Sequence, residues 1–148
     1  MFAKRQALNS KSALHAEELD ESNTLLLKPI KSLDGTITLP GSKSLSNRIL
    51  LLSTLSEGTT EVDNLLDSDD IQYMLKALEQ LQVPLDIGKN KDGSVGKVIV
   101  TGQSGPINSP TPEKVQELFL GNAGTAMRPL AAALCMGDGK FVLDGVPR

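Results

Sequence analysis

Pro40-Gly41-Ser42-Lys43-Ser44-Leu45-Ser46-Asn47-Arg48, running into Ile49-Leu50-Leu51-Leu52, constrains this chain more than any other stretch. A proline and a glycine close one element, and hydroxyl side chains with two cations open the next. Thr36-Ile37-Thr38-Leu39 alternates polar and apolar residues, as a half-buried strand does. Gly41 lets the backbone turn sharply, and Ser42 or Ser44 can cap the free N–H groups of the helix that follows. A helix start carries unpaired N–H groups and partial positive charge, so it attracts anions. Lys43 adds a point charge there, and Arg48 a planar fork suited to phosphate or carboxylate. Ser44 and Arg48 lie one helical turn apart and share a face. An ordinary capped helix with two solvated cations fits the same spacing, and spacing alone does not decide between the two.

Gly121-Asn122-Ala123-Gly124-Thr125 is a second site of the same kind. Two glycines beside Asn and Thr let backbone N–H groups face outward before a helix of small residues, Ala126 to Cys135. A tight cap is the plain alternative. Pro129 is expected near the first turn, where a missing N–H is tolerated. Cys135, among Ala131, Ala132, Ala133 and Leu134, is expected to be buried and unreactive.

The two stretches PGSKSLSNR and LFLGNAGTAMRPLAAALC together resemble the 5-enolpyruvylshikimate-3-phosphate synthase family over Leu25 to Arg148. The resemblance implies an enzyme, a carboxyvinyltransferase moving the enolpyruvyl group of phosphoenolpyruvate onto the 5-hydroxyl of shikimate 3-phosphate. That step belongs to the shikimate pathway of aromatic amino acid biosynthesis. It further implies that Lys43, Ser44 and Arg48 contact shikimate 3-phosphate, and that Lys43 and Gly124 contact phosphoenolpyruvate, Gly124 through its backbone. No cofactor is implied. The implied fold is mixed α and β, with repeated strand–helix units of an enolpyruvyl-transferase α/β prism, incomplete here.

Composition is compatible with that. A chain of 148 residues, 39% hydrophobic and 22% charged, can bury one core. The net charge of −3 argues against a nucleic-acid partner. One Cys excludes an internal disulfide or a multi-cysteine zinc site and fits a reducing cytoplasm. The one His, His15, cannot build a metal cluster, and no apolar run approaches the ~20 residues that span a bilayer.

In chain order, residues 1–23 are polar and end in Glu17-Glu18-Leu19-Asp20-Glu21, which fits neither a transit peptide nor a secretion signal. They read as a disordered extension or an upstream start, with residues 24–148 as the N-terminal part of the transferase. Leu25-Leu26-Leu27-Lys28-Pro29 is a short strand, with Asp34-Gly35 as the turn to Thr36–Leu39. After the central motif, Leu45, Ile49, Leu52 and Leu55 are spaced as a helix's core face, with Gly58 as its stop. Thr59 to Leu65 reads as a strand. Asp67-Ser68-Asp69-Asp70 reads as a cap on a helix from Ile71 to Leu81 in preference to a metal site, because no calcium-loop pattern completes it. Ile71, Leu75, Leu78 and Leu81 give that helix one apolar face. Val83–Ile87 and Lys97–Thr101 form a hairpin through Asn90-Lys91-Asp92-Gly93, and Gly102 to Pro112 is a loop.

A shift of 80 residues pairs Gly41 with Gly121, Arg48 with Arg128, Leu50 with Leu130 and Val62 with Val142. The shared order of glycine turn, cation, apolar helix and strand suggests an internal repeat.

The chain departs from the family at its end, Asp144-Gly145-Val146-Pro147-Arg148. Family members continue with a further phosphoenolpyruvate-binding arginine, the rest of both domains and the carboxylate that serves as general base. The expectation is an N-terminal fragment holding half a binding site, with no catalytic residue of its own and no turnover alone. Its partner would be the missing C-terminal portion. Phe141-Val142-Leu143 is then expected as an unpaired strand edge. Two other readings stay open: the related transferase acting on UDP-N-acetylglucosamine, and a non-catalytic phosphate-binding module. Against the first stand Lys-Ser in place of Lys-Asn and the lack of a loop cysteine.

Overall fold

A computed structural model describes residues 29–147 except 30 and 38. The chain divides into two units, residues 1–37 and 38–148. In the first unit the described residues are irregular, and the expected extension and the Leu25–Lys28 strand lie outside the described residues. The expected strand at Thr36–Leu39 is not formed at Thr36, Ile37 or Leu39. Alternation prepares a strand, but backbone groups become one only by pairing with a neighbour. None of the sheets of the described residues includes them.

The second unit runs α1 (Lys43–Leu55), β1 (Thr59–Val62), α2 (Asp69–Gln80), β2 (Leu85–Lys89), β3 (Val95–Thr101), β4 (Val115–Phe119), α3 (Gly124–Leu134) and β5 (Lys140–Asp144). One sheet is antiparallel, in the order β1-β3-β2, with Thr60 opposite Val100 and Leu85 opposite the same residue. The other is a parallel pair, β4-β5, with Leu118 opposite Leu143. The fold is mixed α and β, as the sequence implies.

The core draws many of its buried side chains from α2 and β3. Ile71, Met74 and Leu78 from the helix and Val98 and Val100 from the strand are wholly buried. Burying each such side chain contributes about 1.5–3 kcal/mol before chain entropy is counted. Tyr73 then meets Phe119 edge to face, ring centres 5.4 Å apart, which ties α2 to β4. A Cβ at Gly121 would run into the Tyr73 ring, so the glycine there sets how closely the turn before α3 approaches α2. At that turn φ is +54°, which also favours glycine.

Several expectations are corrected. The core face of α1 is not Leu45-Ile49-Leu52, which are 56%, 43% and 63% exposed. The buried residues are Ser46, Asn47, Leu50, Leu51, Ser53 and Thr54. This face succeeds because its hydroxyls are small and find partners: Thr54 Oγ1 donates to the Leu50 carbonyl at 2.9 Å. Ser68 occupies the cap position of α2, but its hydroxyl makes no capping bond and is buried with no partner among the described residues; Asp69 and Asp70 supply the first-turn charge. Phe141–Leu143 is paired along one edge, with Gln116–Leu118 of β4, a strand that the sequence reading did not contain. Its residues are mostly exposed, so Val115-Gln116-Glu117 carries no strand-like alternation. Cys135 is exposed, because the buried residues of α3 are Ala126, Leu130, Ala133 and Leu134, and the chain leaves the helix at the cysteine. Pro129 sits inside α3 beyond its first turn, leaving the Thr125 carbonyl without the usual donor.

Two measurements check these features. Leu50→Ala should lower stability by about 2–5 kcal/mol, and Leu52→Ala by no more than about 0.5 kcal/mol. A larger loss for Leu52→Ala than for Leu50→Ala would mean that α1 is turned the other way. In the β2–β3 turn, the Ser94 hydroxyl and N–H donate to Asp92 Oδ1 at 2.6 and 3.0 Å and hold that carboxyl below its ordinary pKa. A lowered folded pKa gives stabilisation that is present above the unfolded value and is lost as pH falls through the folded one. Ser94→Ala should return the Asp92 midpoint, followed by carboxyl-carbon NMR, towards the ordinary value; an unmoved midpoint would refute this cause.

Candidate functional site

The central motif is held from behind. A Cβ on Gly41 would collide with the Asn64 carbonyl, so only glycine lets the corner close on the loop after β1. That carbonyl is presented by Asn64 at φ +50°, a left-handed conformation that asparagine tolerates. Ser42 is the N-cap of α1 and accepts from the Leu45 N–H at 3.5 Å. One residue of the pair expected to cap thus does so. Ser46 Oγ accepts from the Leu66 N–H at 3.5 Å, a second tie to the same loop. Lys43 and Arg48 are exposed, and Ser44 is half-buried. With no acidic residue in the first turn, the N-terminal charge of α1 is left for an anion.

Side-chain contacts bring three helix starts together. Lys43 Nζ, from the first residue of α1, lies 3.0 Å from Asp70 Oδ2 in the first turn of α2. Asn47 Nδ2, one turn along α1, donates to Thr125 Oγ1 at the start of α3 at 3.0 Å. So the two sequence motifs are neighbours in space. Lys43 already has a counter-ion, which an incoming anion must displace or share.

Gly124 opens α3 and is half-buried, and α3 has neither an acidic first turn nor a capping side chain. Arg128 Nε donates to the Gly124 carbonyl at 3.1 Å. A Cβ on Gly124 would meet the Arg128 guanidinium at 3.2 Å, a flexible group, so room for a side chain is tight without being closed. Gly124 lines a cleft of about 470 Å³ with Gly121, Asn122, Met127, Gly145 and Pro147. Lys43, Ser44 and Arg48 are not among its walls. The expected residues therefore fall into two places: a cation-bearing helix start, and a glycine-lined cleft beside the neighbouring start.

Asn47, Asp70 and Arg128 belong to this neighbourhood without a ligand role read from the sequence, and Thr125 stands in the second motif without a role of its own. Arg128 carried a signal, its match to Arg48 in the repeat. Asp70 resembled any helix-starting acid, and nothing along the sequence joins Asn47 to Thr125. Among the described residues no group of three His, Cys, Asp or Glu could hold a metal, and no helix is long and apolar enough to cross a membrane.

A family model described as EPSP synthase (3-phosphoshikimate 1-carboxyvinyltransferase) matches residues 27–148. The 3-phosphoshikimate 1-carboxyvinyltransferase of Shewanella pealeana is 56% identical over 126 residues, covering 85% of this chain and 28% of that protein. The chloroplastic protein of the same name from Petunia hybrida is 56% identical over 128 residues, covering 84% of this chain and 24% of that one. The solved EPSP synthase from Acinetobacter baumannii superposes with a TM-score of 0.61 at 31% identity, over 75% of this chain and 23% of that structure. The fold is thus part of an enolpyruvyl-transferase fold. The chain belongs to the EPSP synthase family. It spans about a quarter of the length of the curated relatives it matches.

If Asp70 is the counter-ion of Lys43, Asp70→Asn should tighten binding of inorganic phosphate to the chain. Stability should fall by only about 0.3–1 kcal/mol, from the lost charge at the α2 start and a partly exposed ion pair. Phosphate binding that weakens or stays unchanged would show that the pair does not compete with anions.

Proposed function

We propose that this chain supplies one face of a site that transfers the enolpyruvyl group of phosphoenolpyruvate to the 5-hydroxyl of shikimate 3-phosphate, releasing phosphate. The observation that carries this reading is the meeting of the two motifs through Asn47 and Thr125, which sets a Lys–Arg helix start beside a glycine-lined one. Both substrates are anions, and each start offers the positive end of a helix. Lys43, Ser44 and Arg48 take shikimate 3-phosphate. Lys43 also reaches phosphoenolpyruvate, which the backbone at Gly124 contacts.

In the transfer, a proton adds to the methylene carbon of phosphoenolpyruvate while the 5-hydroxyl gives up its proton to a base and its oxygen bonds to the neighbouring carbon, opening the double bond. The tetrahedral adduct then loses phosphate, and a proton leaves the methyl carbon to restore the double bond. Lys43 is placed to offset charge on the transferred group and the leaving phosphate. The proton-moving carboxylate belongs to sequence that the longer relatives carry beyond this match. On this reading residues 24–148 are the N-terminal part of a transferase acting in the cytoplasm in aromatic amino acid biosynthesis, with no cofactor. Its partner is that C-terminal portion.

Amide-shift titrations of the chain with shikimate 3-phosphate test the proposal. Hydrogen bonds to charged groups contribute roughly 1.5–3 kcal/mol, so Lys43→Ala and Arg48→Ala should each weaken binding about tenfold or more. Ser44→Ala should cost less. All three side chains stand off the buried face of α1, so thermal midpoints should hold. Arg48→Ala that binds like the parent, or that unfolds, would refute the anion site. Phosphate release by the purified chain from both substrates would refute the shared site.

A further inference from the structure

Asn47 is an expensive residue where it stands. It is 1% exposed, it faces the core from the second turn of α1, and a helix interior prefers Leu or Ala at such a place. Its Nδ2 bonds Thr125 Oγ1, but its Oδ1 is buried with no partner among the described residues. Turning the amide over does not help, because Thr125 would then donate to Oδ1 and leave Nδ2 bare. A buried polar atom without a partner calls for an explanation beyond packing.

The start of α3 supplies one. Its cap residue is Ala123, which makes no side-chain bond, and Pro129 denies the Thr125 carbonyl its usual donor. The backbone holds that end by short bonds, from the Gly124 N–H to the Asn122 carbonyl and from the Ala126 and Met127 N–H groups to the Ala123 carbonyl, each 2.9 Å. Among the described residues, Asn47–Thr125 is the one side-chain hydrogen bond from α1 to α3. Asn47 also lies four residues beyond Lys43, on the same side of the helix.

We infer that Asn47 is a positioning residue whose buried amide, bonded to Thr125, fixes the start of α3 against the start of α1. It thereby sets the distance between Lys43 and Gly124. The inference rests on the reading above that these two residues share phosphoenolpyruvate. Shikimate 3-phosphate, held by α1 alone, should not depend on it.

The test uses the whole chain with Asn47→Leu, Thr125→Val, the two combined, and Thr125→Ser. The first two remove the bond at nearly constant volume, and Thr125→Ser keeps the hydroxyl. Amide exchange at Ala126 and Met127 should quicken about tenfold in the variants that lack the bond, while Leu78 in the core keeps its rate. Phosphoenolpyruvate binding should weaken about fivefold and shikimate 3-phosphate binding by less than about twofold. The double variant should be no worse than either single, and Thr125→Ser should behave as the parent. Unchanged exchange, equal loss for both ligands, or additive losses would each overturn the inference. If Asn47→Leu fails to fold, the contrast of Thr125→Val with Thr125→Ser decides alone. A parent that binds neither ligand overturns the functional reading, and the exchange rates then judge the strut on their own.

Discussion

The unit depends on how closely other elements can approach the inner face of α1. That helix touches α2, α3, β1 and β3, and no other helix has as many neighbours. The face it offers is narrow: Ser46 and Asn47 on one side and Ser53 and Thr54 on the other flank Leu50 and Leu51. Large apolar residues at those places would hold the neighbours off, whereas small hydroxyls admit them and bond to the backbone. Close approach of this kind puts three helix starts within side-chain reach of one another. The core and the candidate site are therefore set by the same face.

Electrostatics follow from that crowding. Three positive helix ends side by side would repel one another, and the acids Asp69 and Asp70 at the start of α2 relieve this. The starts of α1 and α3 lack acids, so theirs is the unbalanced charge. Lys43 is turned towards Asp70, and on the proposed reading it also meets an anionic ligand. An anion bound there competes with a carboxylate already in place, which favours doubly charged ligands such as phosphate over monoanions.

Much of this was legible in the sequence. The helices after each glycine motif, the hairpin of β2 and β3, and the inner face of α2 at Ile71, Leu75, Leu78 and Leu81 follow from spacing. The residues that form the cap and corner, Ser42 and Gly41, were also readable. What failed has a common cause. The buried face of α1 could not be chosen from periodicity, because Leu45-Ile49-Leu52 and Ser46-Leu50-Ser53 have the same spacing. Apolarity favours the first stripe, and tertiary packing selects the second. In β4 a single residue, Leu118, is buried, so pairing with β5 defines that strand while hydropathy is silent. Of the candidate site, the cations and glycines announce themselves as motifs. Their supports do not, because Asn47 meets Thr125 and Lys43 meets Asp70 only once the chain has folded.

The internal repeat gives these two helix starts a common frame and different chemistry. A shift of 80 residues carries α1 and β1 onto α3 and β5, with Leu50 and Leu130 both wholly buried. Within that frame Arg48 is exposed at the surface, whereas its counterpart Arg128 folds back onto the Gly124 carbonyl. One copy therefore presents side-chain cations, which suit a phosphate that arrives hydrated and is held by several donors. The other presents a glycine backbone walled by its own cleft, which suits a small, compact anion approached closely. At position 47 the first copy has a buried Asn, and the second has Met127, which lines that cleft. A repeated scaffold with unlike residues at matched places can hold two different anions side by side, as the proposed transfer requires.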